Sequence, residues 1–280
     1  MDLIIQGAAL PTFLLDRIVA ATGAASVEPL PPQAARLHGA LRSSSFDALI
    51  PLLEGERLDW AFVERGRRLA DFGLIAFDMD STLITIECID ELADYAGRKH
   101  EVAEITEAAM RGELDYRESL RRRLSLLGGL DARVLSRVFE ERLQLSPGAR
   151  ELLAAAQTAG LRTAILSGGF TYFTERLRIE LGFDFATSNE LEIWSGKLTG
   201  KVSGDIVDAA AKAHHLSRLR DELGLRKDQV IAIGDGANDL LMMAEAGVSV
   251  AYHAKPATRA QATIALNYSG LDGLLNLYPA

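Results

Sequence analysis

Leu74-Ile-Ala-Phe-Asp-Met-Asp-Ser-Thr82 is the stretch on which the reading of this chain turns. Four apolar residues of strand character run straight into two aspartates separated by one residue. In an extended segment the side chains at i and i+2 share a face, so Asp78 and Asp80 are expected to address one small volume. Two carboxylates at the carboxyl end of a buried strand are costly unless something compensates them, and a metal ion is the usual compensator.

Outward from this segment the pattern is that of a parallel sheet. From Phe72 onward strand-like runs at Leu74–Phe77, Thr163–Leu166, Val230–Ile233, Val248–Tyr252 and Thr263–Leu266 alternate with helical stretches. Between the first two runs lies a helical insertion from Ile89 to about Leu145. It is longer than a crossover needs, so it is expected to form a cap at the sheet edge. A shorter insertion, Phe183 to Gly204, carries Ser195-Gly196 between two short runs, the mark of a β-hairpin.

Three of the runs end in polar clusters. Leu74–Phe77 ends in Asp78-Met-Asp80, Thr163–Leu166 in Ser167-Gly168-Gly169, and Val230–Ile233 in Gly234-Asp235-Gly-Ala-Asn-Asp239. Ligands of open α/β sheets bind beyond the carboxyl ends of the strands, so the three are expected to converge. Any one of them alone would be read as a solvated turn. Asp78 and Asp235 are hard oxygen ligands suited to Mg²⁺. Ser167-Gly-Gly offers a hydroxyl and unshielded N–H groups to an anion. A carboxylate can attack phosphorus, and a second one nearby can shuttle the proton.

Composition sets the outer bounds. The chain has 280 residues, 48% hydrophobic and 25% charged, which is enough for a sizeable core in an ordinary soluble protein. A single cysteine, Cys88, excludes a disulfide framework and a cysteine-based zinc site. A formal charge of −9 and no long basic tract argue against nucleic acid as a partner. No apolar run approaches the roughly 20 residues of a membrane span. The start, Met1-Asp-Leu-Ile-Ile, lacks the basic region of a signal peptide, so a cytoplasmic location is expected.

The motifs Asp78-Met-Asp-Ser-Thr82, Ser167-Gly-Gly169, Lys212 and Gly234-Asp-Gly-Ala-Asn-Asp239 together resemble those of the haloacid-dehalogenase-like superfamily of phosphotransferases. Three further runs narrow the resemblance to the branch that hydrolyses O-phospho-L-serine. They are Asp80-Ser-Thr-Leu-Ile-Thr-Ile-Glu-Cys-Ile-Asp90, Ile105-Thr-Glu-Ala-Ala-Met-Arg-Gly112 and Ser119-Leu-Arg-Arg-Arg-Leu-Ser-Leu-Leu127. The similarity spans about Phe72 to Tyr278.

The resemblance implies a Rossmann-like α/β core over residues 71–280, with a helical cap at about 89–145. Asp78 would be the nucleophile and Asp80 the general acid/base. Mg²⁺ would be held by the Asp78 carboxylate, the Asp80 carbonyl and Asp235, with Asp239 in support. Ser167, Gly168, Lys212 and Asn238 would grip the phosphoryl group. Glu87 would accept the substrate ammonium and Arg123 its carboxylate, while Met110 and Tyr116 would line the cap. Phe is often found where this chain has Tyr116. Arg121 and Arg122 flank Arg123, and without the resemblance nothing in the sequence chooses among the three. Transfer to another alcohol such as homoserine, and a phospho-acceptor without turnover, are the competing readings.

Residues 1–70 read as a separate α+β module in β-α-β-β-α-β order, with a second helix around Phe46–Leu53. It resembles a small amino-acid-binding (ACT-like) regulatory module. Serine feedback and a homodimer are the expectations attached to it.

Overall fold

The computed structural model describes residues 1–280 apart from Pro31, Pro32, Arg111, Gly112 and the side chain of Met110. Elements follow in the order β1 (Asp2–Gly7), α1 (Thr12–Thr22), β2 (Ser26–Leu30), β3 (Ala34–His38), α2 (Ser44–Asp47), α3 (Ile50–Gly55), β4 (Leu58–Val63) and β5 (Leu74–Phe77). Next come α4 (Cys88–Tyr95), α5 (Lys99–Met110), α6 (Tyr116–Ser125), α7 (Val134–Glu141), α8 (Ala149–Thr158), β6 (Arg162–Phe170), α9 (Thr171–Leu181), β7 (Phe185–Trp194), β8 (Lys197–Ser203) and α10 (Ala209–Glu222). The chain closes with β9 (Val230–Gly234), α11 (Leu240–Ala244), β10 (Val248–Tyr252), α12 (Pro256–Arg259), β11 (Ile264–Leu266) and α13 (Gly273–Leu277). This is a mixed α/β protein with a mostly parallel core sheet. Among the described residues, no helix is long and apolar enough to cross a membrane.

Two compact units divide the chain. The first comprises Met1–Ile75, Pro147–Arg162 and Leu225–Ala280. Its N-terminal part is an antiparallel sheet in the order β2-β3-β1-β4. Strand alternation sends Leu3 and Ile5 of β1 into one core with Leu14, Ile18, Phe46 and Leu53. Phe46 meets Trp60 and Phe62 edge-on, both at 5.2 Å between ring centres. The helix expected around Phe46–Leu53 is two short helices instead. Pro51, the second residue of α3, has no N–H to continue a helix from α2.

The other face of this sheet carries buried polar groups among apolar ones. Gln6 Oε1 accepts from Asn276 Nδ2 at 2.7 Å, and Arg36 donates to the carbonyls of Asn276 and Leu277 at 2.7 and 3.1 Å. Asp59, 2% exposed, accepts from the backbone N–H groups of Asn267, Tyr268 and Ser269 at 2.7, 3.1 and 2.8 Å. These contacts join the small sheet to the segments around β11 and α13. A buried donor left unsatisfied costs about 1–3 kcal/mol. Asp59→Ala should therefore lower unfolding free energy by about 3 kcal/mol or more, a drop of roughly 10 °C in Tm by thermal denaturation. An unchanged Tm would show that the three N–H groups find other partners.

In the same unit the parallel strands run in the order β11-β10-β9-β5. Gly73, just before β5, donates to the Gln229 carbonyl and accepts from the Arg162 N–H, both at 2.9 Å. That threads β5 between β9 and the start of β6. β5 is apolar at every position and wholly buried, the signature of a strand covered on both faces.

The second unit comprises Ala76–Ser146 and Thr163–Gly224, with strand order β5-β6-β7-β8. Helices α4 to α7 form an insertion whose two ends meet. Ile84 bridges Leu145, the Thr85 N–H donates to the Gln144 carbonyl, and the Ser146 N–H donates to the Leu83 carbonyl. Arg142 ties α7 to α4 through Glu91 and Asp94 at 3.0 and 3.3 Å.

β7 pairs in parallel with β6 at its start and antiparallel with β8 at its end. Its first half is a core strand hidden in the sequence by Thr187-Ser188-Asn189. Ser195 and Gly196 both take positive φ, 49° and 76°, which makes the two-residue turn of the expected hairpin.

Candidate active site

β5 stops at Phe77, so Asp78 and Asp80 lie on the loop beyond it, and strand alternation is not what aims them. Asp78 is 4% exposed. Its Oδ1 accepts from the Met79 N–H at 2.7 Å and lies 2.8 Å from Nζ of Lys212, itself 1% exposed. Three residues on, Ser81 holds a left-handed backbone at φ 56°, a conformation unfavourable for a residue with a Cβ. Its hydroxyl donates to Glu87 at 2.7 Å and its N–H to the Ile86 carbonyl at 3.2 Å. The turn brings Asp80 back so that it accepts from the Cys88 N–H at 2.9 Å.

This enclosure sets the charge state of Asp80. Burial, with the Glu87 carboxylate as second cause, pushes its carboxyl up to about 7. Glu87 is raised too, by its crowded surroundings and by Asp90, against the opposing pull of Ser81 and Arg123. Burial pushes the Cys88 thiol well up, so it is a packed hydrophobe rather than a nucleophile.

A carboxyl raised in the folded state binds its proton more readily there than in the unfolded chain. Asp80 therefore takes stability away as pH rises from the ordinary carboxylate range through about 7. Asp80→Asn keeps an acceptor for Cys88 and removes that charge. In chelator-treated protein at pH 8 the variant should be more stable by about 2 kcal/mol, discounted for partial solvent access, or roughly 5 °C in Tm. Below pH 4 the gain should vanish. A gain independent of pH would assign the effect to something other than ionisation.

The third wall is β6. Ser167 to Gly169 bulge from the ladder, and the Ser167 hydroxyl accepts from the Gly169 N–H at 2.9 Å. A Cβ on Gly169 would come within 2.5 Å of Asp80 Oδ2 and 2.6 Å of Met79 Cε, so only glycine allows this approach. The carbonyl of Gly168 receives two donors, Asn189 Nδ2 at 2.7 Å and the Tyr116 hydroxyl at 3.2 Å. Burial pushes the Tyr116 phenol up to about 12.

The three arginines of α6 are separated by their surroundings. Arg121 and Arg122 are exposed, with Arg122 paired to Glu118 at 2.7 Å. Arg123 is half-buried and feels both Glu87 and Asp90. Its Nε is buried without a hydrogen-bond partner among the described residues. An orphaned guanidinium N–H beside a carboxylate is suited to an anionic ligand group.

In the first unit, Asp235 follows β9 half-buried, Asn238 is exposed, and fully buried Asp239 accepts from the Gly236 N–H at 3.1 Å. Among the described residues, Asp78 in the second unit and Asp235 and Asp239 in the first each offer carboxylate oxygens to a metal ion. Their donor atoms are all carboxylate oxygens, the chemistry a hard divalent cation requires. The side chain of Met110 lies outside the described residues. Nothing in the sequence marks Asn189, because the half-strand that carries it is polar in composition.

The fold and these motifs define a class. The model of the haloacid dehalogenase-like hydrolase family matches residues 75–244, and the chain belongs to that family. The particular relatives are phosphatases. A phosphoserine phosphatase of Polaromonas sp. is 57% identical over 215 residues, covering 75% of this chain and 91% of the relative. A solved unliganded structure of a probable phosphoserine phosphatase from Vibrio cholerae has 42% identity and a TM-score of 0.84, covering 99% of this chain and 85% of its own. A HAD-family hydrolase from Salmonella enterica has 31% identity and a TM-score of 0.89, with 99% and 98% covered.

Proposed function

We propose that the chain is a phosphoserine phosphatase that hydrolyses O-phospho-L-serine to L-serine and phosphate through an aspartyl-phosphate, the last step of serine biosynthesis, in the cytoplasm. The observation that carries this reading is Lys212 Nζ 2.8 Å from Asp78, on the loop that also holds Asp80, whose carboxyl burial pushes up to about 7. A group poised near neutrality can give a proton in one half-reaction and take one in the next.

In the first half-reaction the Asp78 carboxylate attacks phosphorus and the bond to the serine oxygen breaks. Protonated Asp80 delivers its proton to that departing oxygen. In the second, the Asp80 carboxylate takes a proton from water as the water oxygen attacks the phosphoryl group on Asp78, releasing phosphate and restoring both residues. Lys212, the Ser167 hydroxyl and Gly168 offset charge on the phosphoryl oxygens. Asp78, the Asp80 carbonyl and Asp235 would hold Mg²⁺, with Asp239 in support, and Asn238 would help hold the phosphoryl group. Bound there, the ion supplies further positive charge against the phosphoryl oxygens. Glu87 takes the substrate ammonium. Arg123, with its orphaned Nε, takes the carboxylate through the two-pronged geometry that guanidinium offers. Residues 71–280 form the phosphatase domain, in which the insertion of helices α4 to α7, at about 89–145, is the cap, and residues 1–70 are the small regulatory module.

Phosphate release from a panel of phosphomonoesters, with Mg²⁺ and with chelator, tests the proposal. O-phospho-L-serine should be preferred over phosphoethanolamine, which lacks the carboxylate, and over glycerol phosphate, which also lacks the ammonium. Equal rates on all three would remove Glu87 and Arg123 from substrate recognition. Phosphorylated homoserine in place of free phosphate, when that alcohol is added, would make the protein a phosphotransferase. Light scattering on the same sample tests the homodimer.

A further inference from the structure

We propose that Asn189 is a positioning residue for phosphoryl transfer, fixing the Ser167 hydroxyl and Lys212 relative to each other; the inference rests on the phosphatase reading above. Leu166 pairs with Thr187 and Phe170 with Asn189, so three residues of β6 stand opposite the single Ser188 of β7. Such a bulge takes backbone groups out of the ladder. The Gly168 carbonyl is one of them, and Asn189 Nδ2 donates to it at 2.7 Å. The same amide's Oδ1 accepts from the Val207 N–H at 2.8 Å.

Each end of that amide leads to a group that handles phosphate. In a planar trans peptide the C=O of one residue and the N–H of the next point in opposite directions. Holding the Gly168 carbonyl therefore aims the Gly169 N–H, which donates to the Ser167 hydroxyl oxygen at 2.9 Å. With its oxygen engaged in this way, the Ser167 O–H is turned to donate elsewhere, toward an anion in the cradle.

At the other end, Val207 precedes Asp208, the N-cap of α10, whose side chain accepts from the Ala211 N–H at 3.0 Å. Lys212 lies in the first turn of that helix. Asn189 is 1% exposed with donor and acceptor both used, so the amide has one orientation. Asp would present two acceptors there, and Ala neither group. The Tyr116 hydroxyl, the second donor to the Gly168 carbonyl, brings α6 and its Arg123 to the same point.

Kinetics of Asn189→Ala and of the isosteric Asn189→Asp, each confirmed folded by circular dichroism, test the assignment. Both should lower kcat on O-phospho-L-serine by roughly 10–100-fold while KM stays near the parent value, since the displaced groups act on the phosphoryl and not on the amino-acid end. Because Asn189 acts partly through Ser167, the Asn189→Ala/Ser167→Ala pair should lose much less than the product of the two single losses. Parent-like kcat in either folded variant, a loss confined to KM, or fully multiplicative losses would each overturn the role. A parent protein inactive on every phosphomonoester would instead defeat the phosphatase reading.

Discussion

Asp78→Asn leaves no measurable turnover of O-phospho-L-serine, a loss of at least about 10⁴-fold in kcat, on the scale seen when a covalent nucleophile is removed. The amide can still accept from the Met79 N–H, so the loop keeps its shape. What disappears is the electron pair that attacks phosphorus. Lys212, at 1% exposure, loses its ion pair with Asp78, so stability falls as well. Steady-state kinetics and thermal denaturation on one preparation separate the two effects. Residual activity within tenfold of the parent would mean that another group receives the phosphoryl.

Lys212→Met has the second-largest effect, and it acts on two observables. Removing one preorganised charge from a transition state costs about 10²–10³-fold in kcat. Removing one side of this buried ion pair costs about 3–5 kcal/mol, or roughly 10 °C in Tm for metal-free protein. The double variant Asp78→Asn/Lys212→Met should regain part of the stability lost by Lys212→Met, because the ion pair is then removed from both sides, and none of the activity. A double variant as unstable as the sum of the singles would show that the pair is not coupled.

What the sequence made legible follows the range of the interactions involved. β5, β9, β10 and β11 are continuous apolar runs, and Ser195-Gly196 is a local turn signal, so both are visible within a few residues. Pro51 splitting the second helix is equally local, and it follows from the missing N–H. The first half of β7 is polar in composition and becomes a strand only because β6 lies beside it. Asp59 and Arg36 serve backbone groups more than 200 positions away, so nothing near them in the chain marks them.

The site divides along the same line. Asp78, Asp80 and Ser167 stand in motifs dense enough to be noticed, and Lys212, a lone lysine on a helix, is reached only through the resemblance. The reason Asp80 reaches its place, however, is the left-handed turn at Ser81, and side-chain alternation along a strand does not describe it. Among Arg121, Arg122 and Arg123 the sequence chooses only through the resemblance; the physical distinction, burial and an orphaned Nε, is a property of three-dimensional packing.

The central claim is that Asp78 carries the phosphoryl group between substrate and water. Acid-quenched protein taken during turnover of O-phospho-L-serine, digested and read by mass spectrometry, addresses it directly. One added phosphoryl group should appear on the peptide containing Asp78, and Asp78→Asn should abolish it. A phosphoryl group on any other peptide, or rapid turnover with no phosphorylated peptide in quenched samples, would contradict the account.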